Sequence, residues 1–215
     1  MNTSVKSTVP RRPVVLVILD GVGINPSKLH NAMAQARTPR LDEYFFRYPF
    51  TQLNASGSGV GLPVGQMGNS EVGHMTLGSG SALRQDLVLI DDAIADGSFF
   101  DNPALCAAVS SAKAKGRPLQ LLGLVSEGGV HSHSRHLLAL IELCRLEGVT
   151  PLVHMITDGR DTPPKSVLNS LGDVEEALDG AGGAIVTVSG RYYAMDRDRR
   201  FDRTERAWRA IVLGK

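Results

Sequence analysis

The sequence is poor in cysteine, carries almost no net charge and has no long apolar run. Two cysteines in 215 residues exclude a framework of several disulfides, and Cys106 and Cys144 are expected to be reduced core residues. A net charge of +1 excludes a general electrostatic attraction to nucleic acid or anionic membranes. The apolar run 14–19 is too short for a membrane span or a signal-peptide core. No targeting segment is recognisable, which favours a cytoplasmic location.

What the sequence does contain is the composition of an ordinary folded protein. A hydrophobic content of 42% and a charged content of 21% over this length suit one large domain or two small ones. Residues 1–12 are polar and are expected to be disordered. The glycine- and serine-rich stretch 77–84 is the best candidate for a domain boundary, because the character of the sequence changes there.

The first part of the chain predicts a buried strand, a helix and a second candidate strand. Residues 13–19 form a continuous β-branched run, typical of a strand buried on both faces of a parallel sheet, and Asp20 follows directly. A proline behind a capping threonine predicts a helix over residues 40–48, and 50–54 is the further candidate strand. Asp20 is either a turn former or a metal ligand.

The decapeptide 65–74, GQMGNSEVGH, places a single hydroxyl group, that of Ser70, among glycines. Asn69 and Ser70 are favourable N-cap residues for a helix that would begin here. Free N–H groups and the macrodipole at such a helix start favour negative charge, including a phosphate on Ser70 itself. The alternative is a glycine-rich loop with an ordinary helix cap.

From about residue 83 onward, segments with strand character alternate with segments of helical periodicity. The helices are predicted over residues 102–116, 134–147 and 164–178, and the strands over 118–125, 151–156 and 184–189. This alternation is typical of βαβ units that build a parallel sheet.

Each of the three later strands is followed by a polar loop. The carboxyl ends of parallel strands share one edge of the sheet, so polar residues from the three loops are expected to converge. They are His131, Arg160, Asp161, Arg191 and Arg197. Arginines there suit a phosphate or carboxylate. Ordinary turn chemistry explains any one loop alone, and a zinc site on the histidines near residue 131 is disfavoured because no cysteine or carboxylate completes it.

Five blocks, in this order, carry a resemblance to a known family. The blocks are residues 19–23, 61–63 with 65–74, 126–133, 158–164 and 189–198. They resemble the N-terminal part of cofactor-independent (2,3-bisphosphoglycerate-independent) phosphoglycerate mutases. The resemblance implies an α/β fold in which residues 13–80 are the first part of an alkaline-phosphatase-like parallel-sheet domain. Residues 83–215 would then be most of an inserted α/β phosphotransferase domain that binds substrate.

The resemblance also implies roles for the candidate residues. Ser70 would take the phosphoryl group from 3-phosphoglycerate and return it to the other hydroxyl, giving 2-phosphoglycerate through a phosphoserine intermediate. Asp20 and Ser70 match ligands of one of two divalent metals, usually Mn²⁺, and no 2,3-bisphosphoglycerate is required. The positions that match substrate-binding residues are His131, Arg160, Asp161, Arg191 and Arg197. A serine hydroxyl needs a base or a metal to become a nucleophile, and no His–Asp relay is recognisable around Ser70.

The resemblance covers rather less than half of a full-length enzyme of this family. Further metal ligands of the family lie in its C-terminal half, and the last histidine of this sequence is His154. The expectation is a fragment that is inactive alone and needs the missing half for its metal site. Full length, it would be a monomer acting on phosphoglycerate, with no nucleic-acid or membrane partner. A metal-dependent phosphatase or phosphopentomutase, a non-catalytic phosphoglycerate-binding module and a nonfunctional remnant remain as alternatives.

Overall fold

The computed structural model describes residues 13–215, so the disorder predicted for residues 1–12 lies outside the described part. The chain divides into two units, residues 1–53 and 54–215. The domains implied by the resemblance, 13–80 and 83–215, remain a prediction. Among the described helices, none is long and apolar enough to cross a bilayer.

The first unit contains two short helices and no strand among its described residues. Helix α1 spans Ala32–Gln35 and α2 spans Pro39–Arg47, with Pro39 in the first turn as predicted. The strand predicted over residues 13–19 is wrong, and so is the candidate strand 50–54. A strand exists only where a neighbouring strand takes up its N–H and C=O groups, and none of the described residues of this unit does so. The apolar side chains from Val14 to Leu19 are correspondingly exposed.

The second unit contains a parallel sheet with helices in the connections. Two 3₁₀ turns, Gly57–Val60 and Ser98–Asp101, lie in its first half. The helices and strands are α3 (Ser70–Ser79), α4 (Asp86–Asp96), α5 (Pro103–Ala114), β1 (Leu119–Val125), α6 (Ser134–Glu147), β2 (Pro151–Thr157), α7 (Val167–Ala181), β3 (Ala184–Gly190), α8 (Arg191–Ala194) and α9 (Phe201–Leu213). The predicted alternation of helices and strands is confirmed.

The three strands pair in the order β1-β2-β3, all parallel. Leu121 pairs with Val153, and Val153 with Ile185, before a bulge shifts the register of β3. Helices α6 and α7 pack on the face of the sheet that these residues share. The core consists of Leu121, Val125, Ile141, Val153, Met155, Val174 and Leu178. Both crossover helices therefore cover one face, which leaves the carboxyl ends of the strands open for loops.

Local chemistry determines where α6 and α7 begin and end. Each helix is followed by a glycine in the left-handed conformation, Gly148 at φ 67° and Gly182 at φ 64°. Helix α7 starts at Val167, three residues later than predicted, because the Ser166 N–H donates to the Pro163 carbonyl in a preceding turn.

His154 is a strand residue that does not belong to the core. It lies in β2 as predicted, but Val153 and Met155 on either side face the core, so the alternation along a strand places His154 on the other face. There its ring nitrogens lie 2.8 Å from Thr187 Oγ1 and 2.8 Å from Gln120 Oε1. Cys144 is buried, Cys106 is partly buried, and both are free thiols. Burial raises the pKa of the Cys144 thiol.

Candidate functional site

The carboxyl ends of the three strands carry a connected cluster of polar side chains. Ser126 follows β1, Asp158 follows β2 and Arg191 follows β3. All three are almost completely buried, which is unusual for a serine hydroxyl, a carboxylate and a guanidinium. Such groups are tolerated in the interior only when they have hydrogen-bond or charge partners. Here Ser126 and Arg191 both donate to Asp158.

Asp158 is the centre of this cluster. Its carboxylate accepts hydrogen bonds from Ser126 Oγ at 2.5 Å, from the Arg160 N–H and the Asp161 N–H at 3.0 Å each, and from Arg191 Nη1 at 2.8 Å. Burial by itself raises the pKa of Asp158. The hydrogen bonds from Ser126, from the two backbone N–H groups and from Arg191 outweigh burial, so the pKa lies well below its ordinary value. Asp158 is therefore a charged, fully occupied acceptor.

Arg191 is held by two carboxylates. Its Nη1 donates to Asp158 at 2.8 Å and to Asp161 at 2.5 Å, while its side chain is only 9% exposed. Burial alone would lower the pKa of Arg191, but the hydrogen bonds that it donates to Asp161 and Asp158 raise it. A guanidinium has five N–H donors, so two partners on Nη1 leave the Nη2 and Nε donors for other acceptors.

His131 and Arg197 extend the cluster toward solvent. Arg197 Nη2 lies 3.2 Å from His131 Nε2, which itself lies 3.9 Å from Asp161. A guanidinium can only donate, so His131 Nε2 is the acceptor in this contact. Four of the five predicted substrate-binding residues thus form one chain of contacts, running from His131 and Arg197 through Asp161 to Arg191.

Arg160, the fifth predicted residue, lines a cavity of about 360 Å³ beside this cluster. The cavity is bounded by the loop after β2, by α8 and its following loop, and by Arg203 from α9. Within the described part of the chain, the guanidinium groups of Arg160 and Arg197 have no carboxylate partner. Two exposed cations without a carboxylate face a cavity of this size, an arrangement that suits a small anion with two acidic groups.

The loop that carries Arg197 is held in place by α9. Arg203 Nη1 lies 3.1 Å from Asp196 Oδ1 and 3.6 Å from Asp198, and its guanidinium lies over the Tyr192 ring at 4.0 Å. Asp196 also accepts the backbone N–H groups of Asp198 and Arg200. One arginine of the C-terminal helix thus fixes the loop that carries Arg197.

Sequence reasoning missed Ser126, Asp158, Asp196 and Arg203 as members of the site. Asp158 stands directly after the last residue of β2, the position that places a side chain at the carboxyl edge of a parallel sheet. That position is a usable signal. The partners of Asp196 and Arg203 are set by the docking of α9, and no spacing in the sequence reports it.

Ser70 is the first residue of α3, and the predicted N-cap is confirmed: the Asn69 side chain accepts from the Val72 N–H at 3.0 Å. Ser70 Oγ lies 3.3 Å from His74 Nδ1, one helical turn away. The same Nδ1 lies 2.8 Å from the Ser70 carbonyl oxygen. A carbonyl only accepts, so Nδ1 carries the proton in that closer contact and has no lone pair left to deprotonate Ser70. His74 is therefore not a general base for this hydroxyl through Nδ1.

The loop before Ser70 contacts the loop after β1. Gln66 Nε2 donates to the Gly129 carbonyl at 2.6 Å, and the Gly57 N–H donates to the Gln66 carbonyl at 2.9 Å. Gly129 has a φ of 63°, and a Cβ there would lie 3.1 Å from the Gln66 amide. The segment that leads to Ser70 is thus attached to one of the three strand-end loops.

The described residues do not supply a complete metal site. Asp20 lies in the first unit, in a turn closed by the Val22 N–H and the Leu19 carbonyl, and Ser70 lies in the second unit. Between residues 13 and 215 there is no group of three or more His, Cys, Asp or Glu side chains that could hold a metal ion. This donor set does not fit a resident metal by itself.

The histidines considered for zinc have other contacts. His133 caps α6, where its Nδ1 accepts from the Arg135 N–H at 3.2 Å. His136 Nε2 lies 3.0 Å from Asp91, which also accepts from Arg135 Nη2 at 2.7 Å. Burial and then the charge of Arg135 lower the pKa of His133. His133 therefore serves as the cap of α6, and His136 together with Arg135 attaches α6 to α4.

The chain matches the family model described as the BPG-independent PGAM N-terminus over residues 90–215. It is 53% identical over 205 residues to the 2,3-bisphosphoglycerate-independent phosphoglycerate mutase of Synechocystis sp., covering 94% of this chain and 38% of that protein. It is 52% identical over 206 residues to the enzyme of the same name from Moorella thermoacetica, covering 95% and 40%. The chain spans about two-fifths of the length of these curated relatives.

A solved structure also resembles this chain over nearly all of its length. It is a crystal structure of Leishmania mexicana phosphoglycerate mutase at low cobalt concentration. The match has a TM-score of 0.81 and 37% sequence identity, and it covers 97% of this chain and 40% of the Leishmania protein.

Proposed function

Because this chain belongs to the family of BPG-independent phosphoglycerate mutases, we propose that it is part of an enzyme that interconverts 3-phosphoglycerate and 2-phosphoglycerate. The observation that carries the proposal is the pair of arginines, Arg160 and Arg197, that line one cavity with no carboxylate partner among the described residues. Phosphoglycerate has a phosphate and a carboxylate, and one arginine for each group gives bidentate, charge-assisted recognition.

The other site residues suit the hydroxyl-bearing part of this substrate. Asp161 keeps free acceptor capacity for a substrate hydroxyl, because only Arg191 Nη1 donates closely to its carboxylate. Arg191 has its Nη2 and Nε donors left, and His131 Nε2 contacts Arg197. Holding the dephosphorylated glycerate by its carboxylate and hydroxyl separates a mutase from a phosphatase, since the acceptor hydroxyl stays close while water is kept out.

Ser70 is the proposed nucleophile and phosphoryl acceptor, giving the phosphoserine intermediate. It stands in the first turn of α3, where free N–H groups favour a phosphate. A divalent metal supplies charge neutralisation in phosphoryl transfer when it is bound. We propose two Mn²⁺ in the full-length enzyme, with Asp20 and Ser70 among the ligands of one ion and no 2,3-bisphosphoglycerate. The Leishmania relative studied with cobalt supports a metal dependence of this kind.

We further propose how the full-length enzyme divides into domains and where it acts. Residues 13–80 would be the first part of an alkaline-phosphatase-like domain and residues 83–215 the inserted substrate-binding domain. The rest of a full-length enzyme would complete the metal site, and that enzyme would act as a cytoplasmic monomer without nucleic-acid partners.

Calorimetric titration of the 215-residue chain with 3-phosphoglycerate tests the substrate assignment. We expect binding without added metal, weakened roughly tenfold or more by Arg160→Ala or Arg197→Ala, as for loss of a charge-assisted hydrogen bond. Arg117→Ala is the matched control, because Arg117 is exposed and precedes β1 at the opposite end of the strands. Equal affinity for a pentose phosphate would favour the phosphopentomutase alternative.

A non-catalytic phosphoglycerate-binding module is the second candidate. The favouring observation is that the whole cluster from Ser126 to Arg203 lies in the second unit and uses no described residue of the first. A phosphoserine trap distinguishes the two. The full-length enzyme incubated with 3-phosphoglycerate and Mn²⁺ is expected to show phosphate on Ser70 by mass spectrometry, and a binding module is not.

A further inference from the structure

We propose that Asp158 is a positioning residue of the phosphoglycerate site, which acts through Arg191 and the Arg160–Asp161 backbone. This inference rests on the proposed function, because it concerns how the same site is held. The Asp158 side chain is only 4% exposed. A ligand in the cavity would therefore contact the residues that Asp158 holds and not the Asp158 carboxylate.

Asp158 connects the ends of all three strands through one carboxylate. Oδ2 accepts from Ser126 after β1, and Oδ1 accepts from Arg191 after β3 and from the two N–H groups of its own loop after β2. The direction of the serine proton follows from a second contact. The Gly128 N–H donates to Ser126 Oγ at 3.0 Å, which leaves the hydroxyl hydrogen for Asp158.

This arrangement determines the direction of the Arg191 guanidinium. Both Nη1 hydrogens are taken, one by Asp158 and one by Asp161. Because the guanidinium is planar and rigid, fixing Nη1 at two points also fixes where Nη2 and Nε point. Without Asp158, Arg191 would keep one carboxylate and could rotate about that contact.

The same carboxylate sets the turn that carries Arg160 and Asp161. Two successive N–H groups donate to Oδ1 of Asp158, which holds the backbone close around that side chain. Gly159 takes a φ of 95° inside this turn, a conformation that other residues rarely adopt. Asp158 therefore places Arg160 at the cavity and holds Asp161 where it pairs with Arg191.

Asp158→Asn is the variant that tests the inference with the least disturbance. An asparagine oxygen can still accept from the two N–H groups and from Arg191, with its NH₂ toward Ser126, so the turn is retained. The change removes the negative charge and the acceptor for the Ser126 hydroxyl. We expect 3-phosphoglycerate affinity of the 215-residue chain to fall roughly tenfold, as for a hydrogen bond to a charged group. Asp173→Asn on the exposed side of α7 is the control and should leave affinity within about twofold.

A double-mutant cycle separates positioning from a general structural defect. In an Arg191→Ala background, Asp158→Asn should weaken binding by less than about twofold, because the effects of two substitutions within one hydrogen-bond network are not additive. A persistent tenfold effect in that background would overturn action through Arg191. If Asp158→Asn does not fold by circular dichroism, Ser126→Ala replaces it in the same cycle, with an expected loss of about threefold.

Failure of the inference and failure of the proposed function give different results. Wild-type binding with unchanged affinity in Asp158→Asn overturns the positioning role and leaves the proposed function standing. Absence of 3-phosphoglycerate binding by the wild-type chain overturns both.

Discussion

At the scale of single residues, the site depends on which charges are already paired and which are not. Arg160 lies in the loop after β2 and Arg191 begins α8 after β3, yet Arg191 has two carboxylates and Arg160 has none within the described residues. Sequence reasoning treated the two as equivalent candidates. The structure distinguishes them, because hydrogen-bond partners depend on where side chains from three separate loops meet.

The lowered pKa of Asp158 predicts a component of stability that depends on pH. A carboxyl group with a lower pKa in the folded state stabilises it above the unfolded pKa, about 3.9 for aspartate. That stability is lost as the pH falls from there toward the folded-state pKa. Urea unfolding between pH 7 and pH 3 should therefore show that the free energy of unfolding falls more steeply with decreasing pH for wild type than for Asp158→Asn.

The matched control for this pH dependence is Asp173→Asn, which should follow the wild-type curve because the side chain is exposed on α7. The prediction would be contradicted if the free energy of unfolding changed with pH equally in wild type and Asp158→Asn below pH 5.

Gly129 gives a second residue-scale prediction, with an internal control. Gly129→Ala forces a side chain into a φ of 63° and places its Cβ 3.1 Å from the Gln66 amide. Gly148→Ala meets the same backbone conformation, φ 67°, with nothing within 4 Å. We expect each to lose about 1–2 kcal/mol of unfolding free energy from backbone strain, with a larger loss for Gly129→Ala. Denaturant unfolding of both variants measures the difference, and equal losses would mean that the Gln66 contact contributes nothing.

At the scale of elements, the packing of α7 on the sheet holds β2 and β3 in position for the site. Leu178 is 2% exposed and belongs to the core beneath β2, whereas Leu168 on the same helix is 72% exposed. Leu178→Ala should cost about 2–5 kcal/mol of unfolding free energy through lost burial and a cavity, and Leu168→Ala less than about 0.5 kcal/mol. Thermal or urea unfolding checks both. Equal losses of unfolding free energy in Leu178→Ala and Leu168→Ala would show that the helix face bearing Leu178 does not hold α7 on the sheet.

Element prediction succeeded where the signal was local and failed where it was not. The predicted range of α6 agrees with the observed helix, because its apolar periodicity lies within its own sequence. The run 13–19 is rich in β-branched residues, as strands are, yet it forms no strand. A helix contains its own backbone hydrogen-bond partners, whereas a strand needs another segment, so composition alone cannot establish one.

At the scale of the whole molecule, the chain is related to proteins about two and a half times its length. The described residues contain no group of three metal-binding side chains, while phosphoryl transfer to a serine needs charge neutralisation. The purified chain is therefore expected to show no interconversion of 3-phosphoglycerate and 2-phosphoglycerate with Mn²⁺, measured in a coupled assay. A full-length relative in the same buffer is the positive control. Ordinary turnover by the 215-residue chain would contradict the expectation.

The sequence by itself determined the family, the alternation of helices and strands after residue 83, and the residues that gather at the carboxyl edge of the sheet. These follow from local periodicity and from the general rule that parallel strands share an edge. Only the tertiary structure decided that Asp158 joins all three strand ends and that Arg203 holds the Arg197 loop. It also decided that Arg160 and Arg197 have no carboxylate partner among residues 13–215. The physical reason is that pairing of buried charges depends on distances between segments far apart in the chain, and sequence spacing does not encode those distances.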